Sequence, residues 1–177
     1  MHIALFGGSF DPPHLGHVLC ACYAYVHGEV DRVWVLPVKD HPYGKDLASW
    51  DNRWDLCHAA FGKLGFVELR DDELDNSGGR TINLVQHLQD THRNDTFALI
   101  GGTDTENDLP NWYRGSELAE IVSVIAVPRR AFDDEHPAAL PAISSTAVRE
   151  AILKGDDTST MLSPRVRELI EARGLYR

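Results

Sequence analysis

The stretch GGSFDPPHLGH, residues 7–17, follows directly on the apolar run HIALF near the start of the chain. The periodicity changes there, and that change decides the fold. Upstream, Ile3, Ala4, Leu5 and Phe6 form a short apolar run that reads as a strand followed by a turn. Downstream, LGHVLCACYAYVHG (15–28) reads as a helix closed by Gly28. Between them, Gly7 and Gly8 leave the backbone open to a bulky ligand. Pro12 and Pro13 stiffen the turn and keep the residue before each out of the helical region. The helix starts near His14. Its first N–H groups lack partners and favour an anion. His14 and His17 are three residues apart, share a face of that first turn, and could donate hydrogen bonds to phosphate oxygens. Taken alone, the turn also fits a capped helix start with incidental histidines. It is neither the G-x-G-x-x-G dinucleotide fingerprint nor the G-x-x-x-x-G-K-[ST] phosphate loop.

Working outward, strands and helices alternate. DRVWVLPV (31–38), GFVEL (65–69), FALIGG (97–102) and VSVIAVP (122–128) read as strands. Ser49 caps a helix expected through WDNRWDLCHAAFGKL (50–64), with Trp50 and Trp54 on one face. TINLVQHLQDTH (81–92) has helical period, GSELAEI (115–121) is a short helix, and AISST leads into a helix over 146–153. A last helix over 164–173 has Pro164 at its start and Gly174 at its stop. The polar, proline-containing segment RRAFDDEHPAALPA (129–142) reads as a loop, with Arg129 and Arg130 a solvated pair. This order gives an α/β fold: one Rossmann-like domain over 1–177, a doubly wound parallel sheet with helices on both faces. Ligands of such sheets bind at the carboxyl ends of the strands. Two of those ends carry glycine pairs, Gly7–Gly8 and Gly101–Gly102.

A net charge of −10 argues against a nucleic-acid-binding surface, which would be basic. No apolar run approaches the roughly 18–20 residues of a membrane helix, so no membrane partner is expected. The N-terminus lacks a basic segment and a cleavage-like site, and the expected location is the cytoplasm. Cys20, Cys22 and Cys57 form no even-numbered framework and read as reduced thiols. Oligomeric state is left open, with a homo-oligomer among the alternatives.

The second informative stretch is ISSTAVRE, 143–150. Ser144, Ser145 and Thr146 are all N-cap residue types. Arg149 sits near the first turn, where the helix dipole disfavours a cation. A bound anion reverses that preference, and three hydroxyls, free N–H groups and a guanidinium fork make a phosphate cradle. A capped helix with an exposed arginine is the plainer alternative.

Paired at this separation, GGSFDPPHLGH with its His-x-Gly-His core and ISSTAVR resemble the nucleotidyltransferase superfamily of α/β adenylyl- and cytidylyltransferases. Within it the chain is most similar to the bacterial nicotinate-nucleotide adenylyltransferases. LIGGTDTENDLPNWY resembles that family's Gly-x-Asp…Trp-Tyr segment, and LSPRVRELIEARGLYR resembles its C-terminal tail. The resemblance implies that the 5′-phosphate of nicotinate mononucleotide attacks the α-phosphorus of ATP, releasing pyrophosphate. Mg²⁺ is expected on the ATP phosphates, not in a protein-held metal site. Carried over by position, His14, His17 and Arg149 are the expected catalytic residues. Gly7, Gly8 and Ser9 border the phosphates, and Phe10 lines the groove where the substrates meet. Gly102 and Asp104 approach the adenosine end, with Asp104 towards ribose hydroxyls. Ser144, Ser145, Thr146 and Arg149 hold the triphosphate, and Lys45 in HPYGK supplies a loop cation. Thr81, Trp112 and Tyr113 form the nicotinate pocket.

The chain departs from that family on the acceptor side. Arg80-Thr81 stands where Tyr-Thr is common, and HPYGK replaces Pro-Pro-His followed by a basic residue. Arg80 adds a positive charge that would favour a ring carboxylate over an amide. The rival readings are transfer to nicotinamide mononucleotide or pantetheine phosphate, and a non-catalytic nucleotide-binding module. A dinucleotide oxidoreductase fits poorly, because its glycine fingerprint is absent.

Overall fold

Ile3 and Leu5 project from one side of β1 (His2–Gly8), Ala4 and Phe6 from the other, and all four are buried. A strand covered on both faces belongs in the middle of a sheet. In the computed structural model, which describes residues 1–39, 46–76, 78–130 and 132–177, β1 is the central strand. It pairs in parallel with β2 (Arg32–Pro37), setting Leu5 opposite Trp34, and with β4 (Thr96–Gly102), setting Leu5 opposite Leu99. With β3 (Val67–Leu69) and β5 (Ser123–Val127) at the edges, the order is β3-β2-β1-β4-β5, all parallel.

Helices cover both faces. Ile82, Val85 and Leu88 of α3 (Thr81–Thr91) and Leu118 of α5 (Gly115–Ile121) pack on the face carrying Ile3 and Leu5. Ala21 of α1 (Leu15–His27), with Cys57 and Phe61 of α2 (Trp50–Phe61), packs on the opposite face against Ala4 and Phe6. A third cluster joins Leu56 of α2 to Val148 of α6 (Ser145–Lys154) and to Val166 and Ile170 of α7 (Pro164–Arg173). Each such aliphatic burial is worth about 1.5–3 kcal/mol. The C-terminal helices are thereby fixed to the outside of α2, and α6 is brought next to the start of α1. Among the described residues no helix is long and apolar enough to cross a membrane.

The boundaries follow local chemistry. Ser49 Oγ accepts the Asn52 N–H and starts α2, and Trp50 and Trp54 stack with centroids 4.8 Å apart. This helix stops at Gly62 instead of running through Leu64. α6 begins at Ser145, one residue earlier than expected, because Ser144 Oγ accepts the Ala147 N–H at 3.1 Å. One helix was not anticipated: α4 (Thr103–Asp108), sequence TDTEND, which leaves β4 directly. It has no apolar period for sequence reading to detect, and the next residue, Leu109, anchors it in the core.

From β1 the chain winds outward through β2 and β3, then returns to the other side for β4 and β5. The carboxyl ends of β1 and β4 therefore part at the point where the winding reverses, and a crevice opens there. Gly8 ends one strand and Gly102 the other.

Candidate active site

The loop leaving β1 is shaped from beneath. No neighbour lies within 4 Å of where a Cβ would stand on Gly7, so that backbone faces open space. A Cβ on Gly8 would come within 3.2 Å of the Phe10 ring. Phe10 has a left-handed φ of 46°, unusual for a residue with a side chain, and this turns its ring into the core. The ring is 1% exposed and makes edge contacts with Phe6, His17 and Phe61. Phe10, expected from sequence to line a substrate groove, is instead buried and forms the floor beneath His17. Behind the loop, the buried Arg53 guanidinium donates from Nη1 to Ser9 O (2.9 Å), from Nε to Ala48 O (2.9 Å) and from Nη2 to Lys39 O (3.1 Å). Nothing in WDNRWDL marks this arginine as more than a polar helix position.

His14 is the N-cap residue of α1, and its backbone N–H donates to His17 Nδ1 at 3.2 Å. That bond makes Nδ1 an acceptor and assigns the ring proton of neutral His17 to Nε2. The two imidazoles stack with centroids 3.7 Å apart and planes 23° apart. Gly16 makes room for this, because a Cβ there would stand 3.0 Å from the His14 ring. Burial pushes the His14 pKa down to about 4. The His17 pKa falls well below its ordinary value through burial, with added repulsion from His14 and Arg129. Near neutral pH both rings are therefore uncharged. His14 Nδ1 is buried without a partner among the described residues.

The start of α6 faces the start of α1. Ser145 Oγ donates to Pro12 O at 2.9 Å, tying the two helix starts together. Arg149 donates from Nη1 to Asp11 O at 2.6 Å and from Nη2 to Thr146 Oγ1 at 3.3 Å. Among the described residues its Nε–H has no hydrogen-bond partner. A pocket of about 560 Å³ lies between these helix starts, lined by His14, His17, Ser144, Ser145 and Arg129. Arg129, set aside in the sequence as a solvated cation, stands in this pocket. It forms a 3.5 Å ion pair with Asp104 Oδ1, and a side chain at Gly102 would collide with both. The available signal was positional: Arg129 comes just after β5, at the carboxyl end of the sheet.

A second cleft, of about 840 Å³, begins at Gly7, Gly8 and Ser9 and ends at Thr81 and Trp112. Trp112 is 36% exposed and not a core residue, and its Nε1 donates to Asp108 Oδ2 at 3.0 Å. The Arg80 guanidinium lies 5.0 Å from the centroid of the exposed Tyr113 ring, and both line an outer extension of the cleft. The structure thus gathers His14, His17, Ser144, Ser145, Thr146 and Arg149 on one side. Thr81, Trp112 and Tyr113 gather about the second cleft and its outer extension, and the Gly7–Ser9 backbone lines the start of that cleft. Lys45 lies outside the described residues. Among the described residues no group of three or more His, Cys, Asp or Glu side chains is placed to hold a metal ion.

Residues 5–151 match the family model described as cytidylyltransferase-like. The chain is 36% identical to a probable nicotinate-nucleotide adenylyltransferase of Anaeromyxobacter dehalogenans, covering 99% of this chain and 96% of the relative. It is 37% identical to one from Shouchella clausii, covering 98% and 96%. In fold it is similar to Plasmodium falciparum nicotinic acid mononucleotide adenylyltransferase complexed with NaAD. That match has a TM-score of 0.81 and 21% identity and covers 99% of this chain and 97% of the other. Matches of this length and identity settle the grouping: the chain belongs to the cytidylyltransferase-like family and, within it, to the nicotinate-nucleotide adenylyltransferases.

Proposed function

We propose that the chain, working as one unit over 1–177, transfers the adenylyl group of ATP to nicotinate mononucleotide, forming nicotinate adenine dinucleotide and pyrophosphate. The observation that carries this reading is the presence of two hollows of different chemistry. One is a pocket between two helix starts, suited to phosphates, and the other is a cleft that begins at the Gly7–Ser9 backbone and reaches Trp112. The two relatives named above, each a probable nicotinate-nucleotide adenylyltransferase, support the same reaction.

In this reading the triphosphate lies between the starts of α1 and α6, held by unpaired backbone N–H groups, the hydroxyls of Ser144 and Thr146, and Arg149. Ser145 contributes mainly by fixing the two helices, since its hydroxyl is already spent on Pro12 O. An oxygen of the acceptor's 5′-phosphate attacks the α-phosphorus, and the bond to the departing pyrophosphate breaks. Negative charge spreads over the α-phosphoryl oxygens. The His17 Nε2–H, His14 and Arg149 meet that charge from a preorganised wall. Positioning and charge stabilisation suffice, and no covalent enzyme intermediate is needed. Mg²⁺ enters with the substrate as MgATP and neutralises phosphate charge. Gly102 and Asp104 border the adenosine end, Lys45 adds a cation from its loop, and Thr81, Trp112 and Tyr113 take the nicotinate ring. The reaction runs in the cytoplasm.

Incubation with MgATP and, separately, nicotinate mononucleotide, nicotinamide mononucleotide and pantetheine phosphate tests the assignment by pyrophosphate release and product mass. The nicotinate dinucleotide is the expected main product. Release with none of the three acceptors would overturn adenylyl transfer. Arg80 at the outer lip favours the acid over the amide, and equal efficiency with the two mononucleotides would sink that preference.

A further inference from the structure

Glu73 lies in the short 3₁₀ turn Asp72–Leu74, is only 5% exposed, and lines the same cleft as Ser9, Thr81 and Trp112. Its surroundings are unusual for a buried carboxyl. Asn76 Nδ2 donates to Oε2 at 2.8 Å, and Oε1 receives no hydrogen bond among the described residues. No described cation pairs with it. Arg70 is spent on Glu68 and Asp72, and the Lys39 ammonium points to Leu74 O. An unpaired carboxylate buried beside a cleft is costly, and folds keep such groups where a ligand completes them. Burial pushes its pKa upward, with Asp72 adding to the shift and the Asn76 hydrogen bond opposing it. A positive charge arriving in the cleft would favour the ionised form.

The acceptor of the reaction proposed above brings such a charge. Its ring nitrogen is bonded to the ribose, so the pyridine is a cation. The Trp112 face and an unpaired carboxylate in one cleft make a combination that favours a flat aromatic cation. We propose that Glu73 is the counter-charge for the pyridinium ring of the acceptor, a specificity-determining residue that selects cationic-ring nucleotides over neutral-ring ones. This rests on the reading that nicotinate mononucleotide is the acceptor. The ring carboxylate is then directed away from Glu73, towards the lip that Arg80 occupies.

The test compares nicotinate mononucleotide with its 1,4-dihydro form, whose ring is neutral, in the wild-type enzyme and in Glu73→Gln. Gln keeps the acceptor oxygen for Asn76 and removes only the charge. The wild type is expected to prefer the cationic ring by about tenfold in kcat/KM. Glu73→Gln should lose most of that preference by slowing only the cationic substrate, and Glu73→Asp should retain it. Equal losses on both rings would assign Glu73 a structural role and overturn the proposal. A wild-type ratio near one overturns it without any variant. No transfer to nicotinate mononucleotide at all would instead remove the acceptor assignment on which the proposal stands.

Discussion

The Tyr176 hydroxyl donates a 2.8 Å hydrogen bond to Asp11 Oδ1, joining the penultimate residue of the chain to the turn after its first strand. Asp11 is 3% exposed, and its Oδ1 also accepts the Ala48 N–H at 3.2 Å. The Asp11 carbonyl and carboxylate both face Arg149, whose Nη1 lies 2.6 Å from the carbonyl oxygen and 3.8 Å from Oδ2. The tail thus holds the residue that holds Arg149. Burial and the neighbouring Asp11 carboxylate raise the Tyr176 pKa, so its hydroxyl stays a donor.

Tyr176→Phe removes a hydrogen bond to a buried carboxylate, a loss of about 1.5–3 kcal/mol. Thermal unfolding should move down by several degrees. Arg149 would lose part of its support, so kcat is expected to fall while KM for the acceptor stays nearly constant. A variant with unchanged melting and unchanged turnover would show that the clamp positions nothing.

Gly16→Ala probes the histidine pair without touching either imidazole. Alanine is the better helix former by about 1 kcal/mol, but its Cβ would stand 3.0 Å from the His14 ring. The helix should survive and the stack should shift. Turnover is expected to fall by roughly 10²-fold, the scale of losing one aligned donor, with far-ultraviolet circular dichroism unchanged. Wild-type activity in this variant would mean that the stack is incidental.

Acid should weaken the fold through the same pair. His14 titrates near 4 when folded and near 6.5 when unfolded, and His17 shifts in the same direction. Below about pH 6.5 the unfolded chain takes up protons that the native site refuses. The stability is therefore fully present above pH 6.5 and is lost as pH falls towards 4. His14 alone accounts for about 2 kcal/mol between pH 7.5 and 5. Urea unfolding at those two pH values, in the wild type and in His14→Gln, reads that part as the difference in slope. Equal pH dependence in the two proteins would refute it.

Arg129→Gln separates a ligand-facing cation from a solvated one. Arg129 shares the pocket with His14 and His17 and pairs with Asp104. Its loss should raise KM for ATP by roughly tenfold, through removal of one charge-assisted contact, while KM for the acceptor stays within twofold. An unchanged KM for ATP would return Arg129 to the solvated surface.

Much of this architecture is legible along the chain, because its causes are local. Continuous apolar runs ended by Gly7–Gly8 and Gly101–Gly102 read as strands, and both are strands of the sheet. Ser49 and Ser144 capped helices as expected, and Pro164 and Gly174 bounded α7 at the residues anticipated. α4 escaped notice because TDTEND has no apolar period and its anchor, Leu109, lies beyond its end. The candidate site divides along the same line. His14, His17 and Arg149 stand in motifs with caps and fixed spacing. Arg53, Glu73, Arg129 and Tyr176 stand in segments whose local chemistry is unremarkable.

Periodicity and capping depend on neighbours three or four residues away, so the alternation of strands and helices, and hence the parallel sheet, followed from the chain alone. Which charged groups meet depends on contacts between distant segments. Tyr176 reaches Asp11 across 165 positions, Arg149 reaches it across 138, and Ser145 reaches Pro12 across 133. Packing of α6 and α7 on Leu56 of α2 made those meetings. Elsewhere in the fold, Phe10 turned inward against Phe6 and Phe61, Arg129 came beside the histidines and the Glu73 carboxyl was left without a described cation in its cleft, because burial and convergence are properties of the packed chain and carry no local signature.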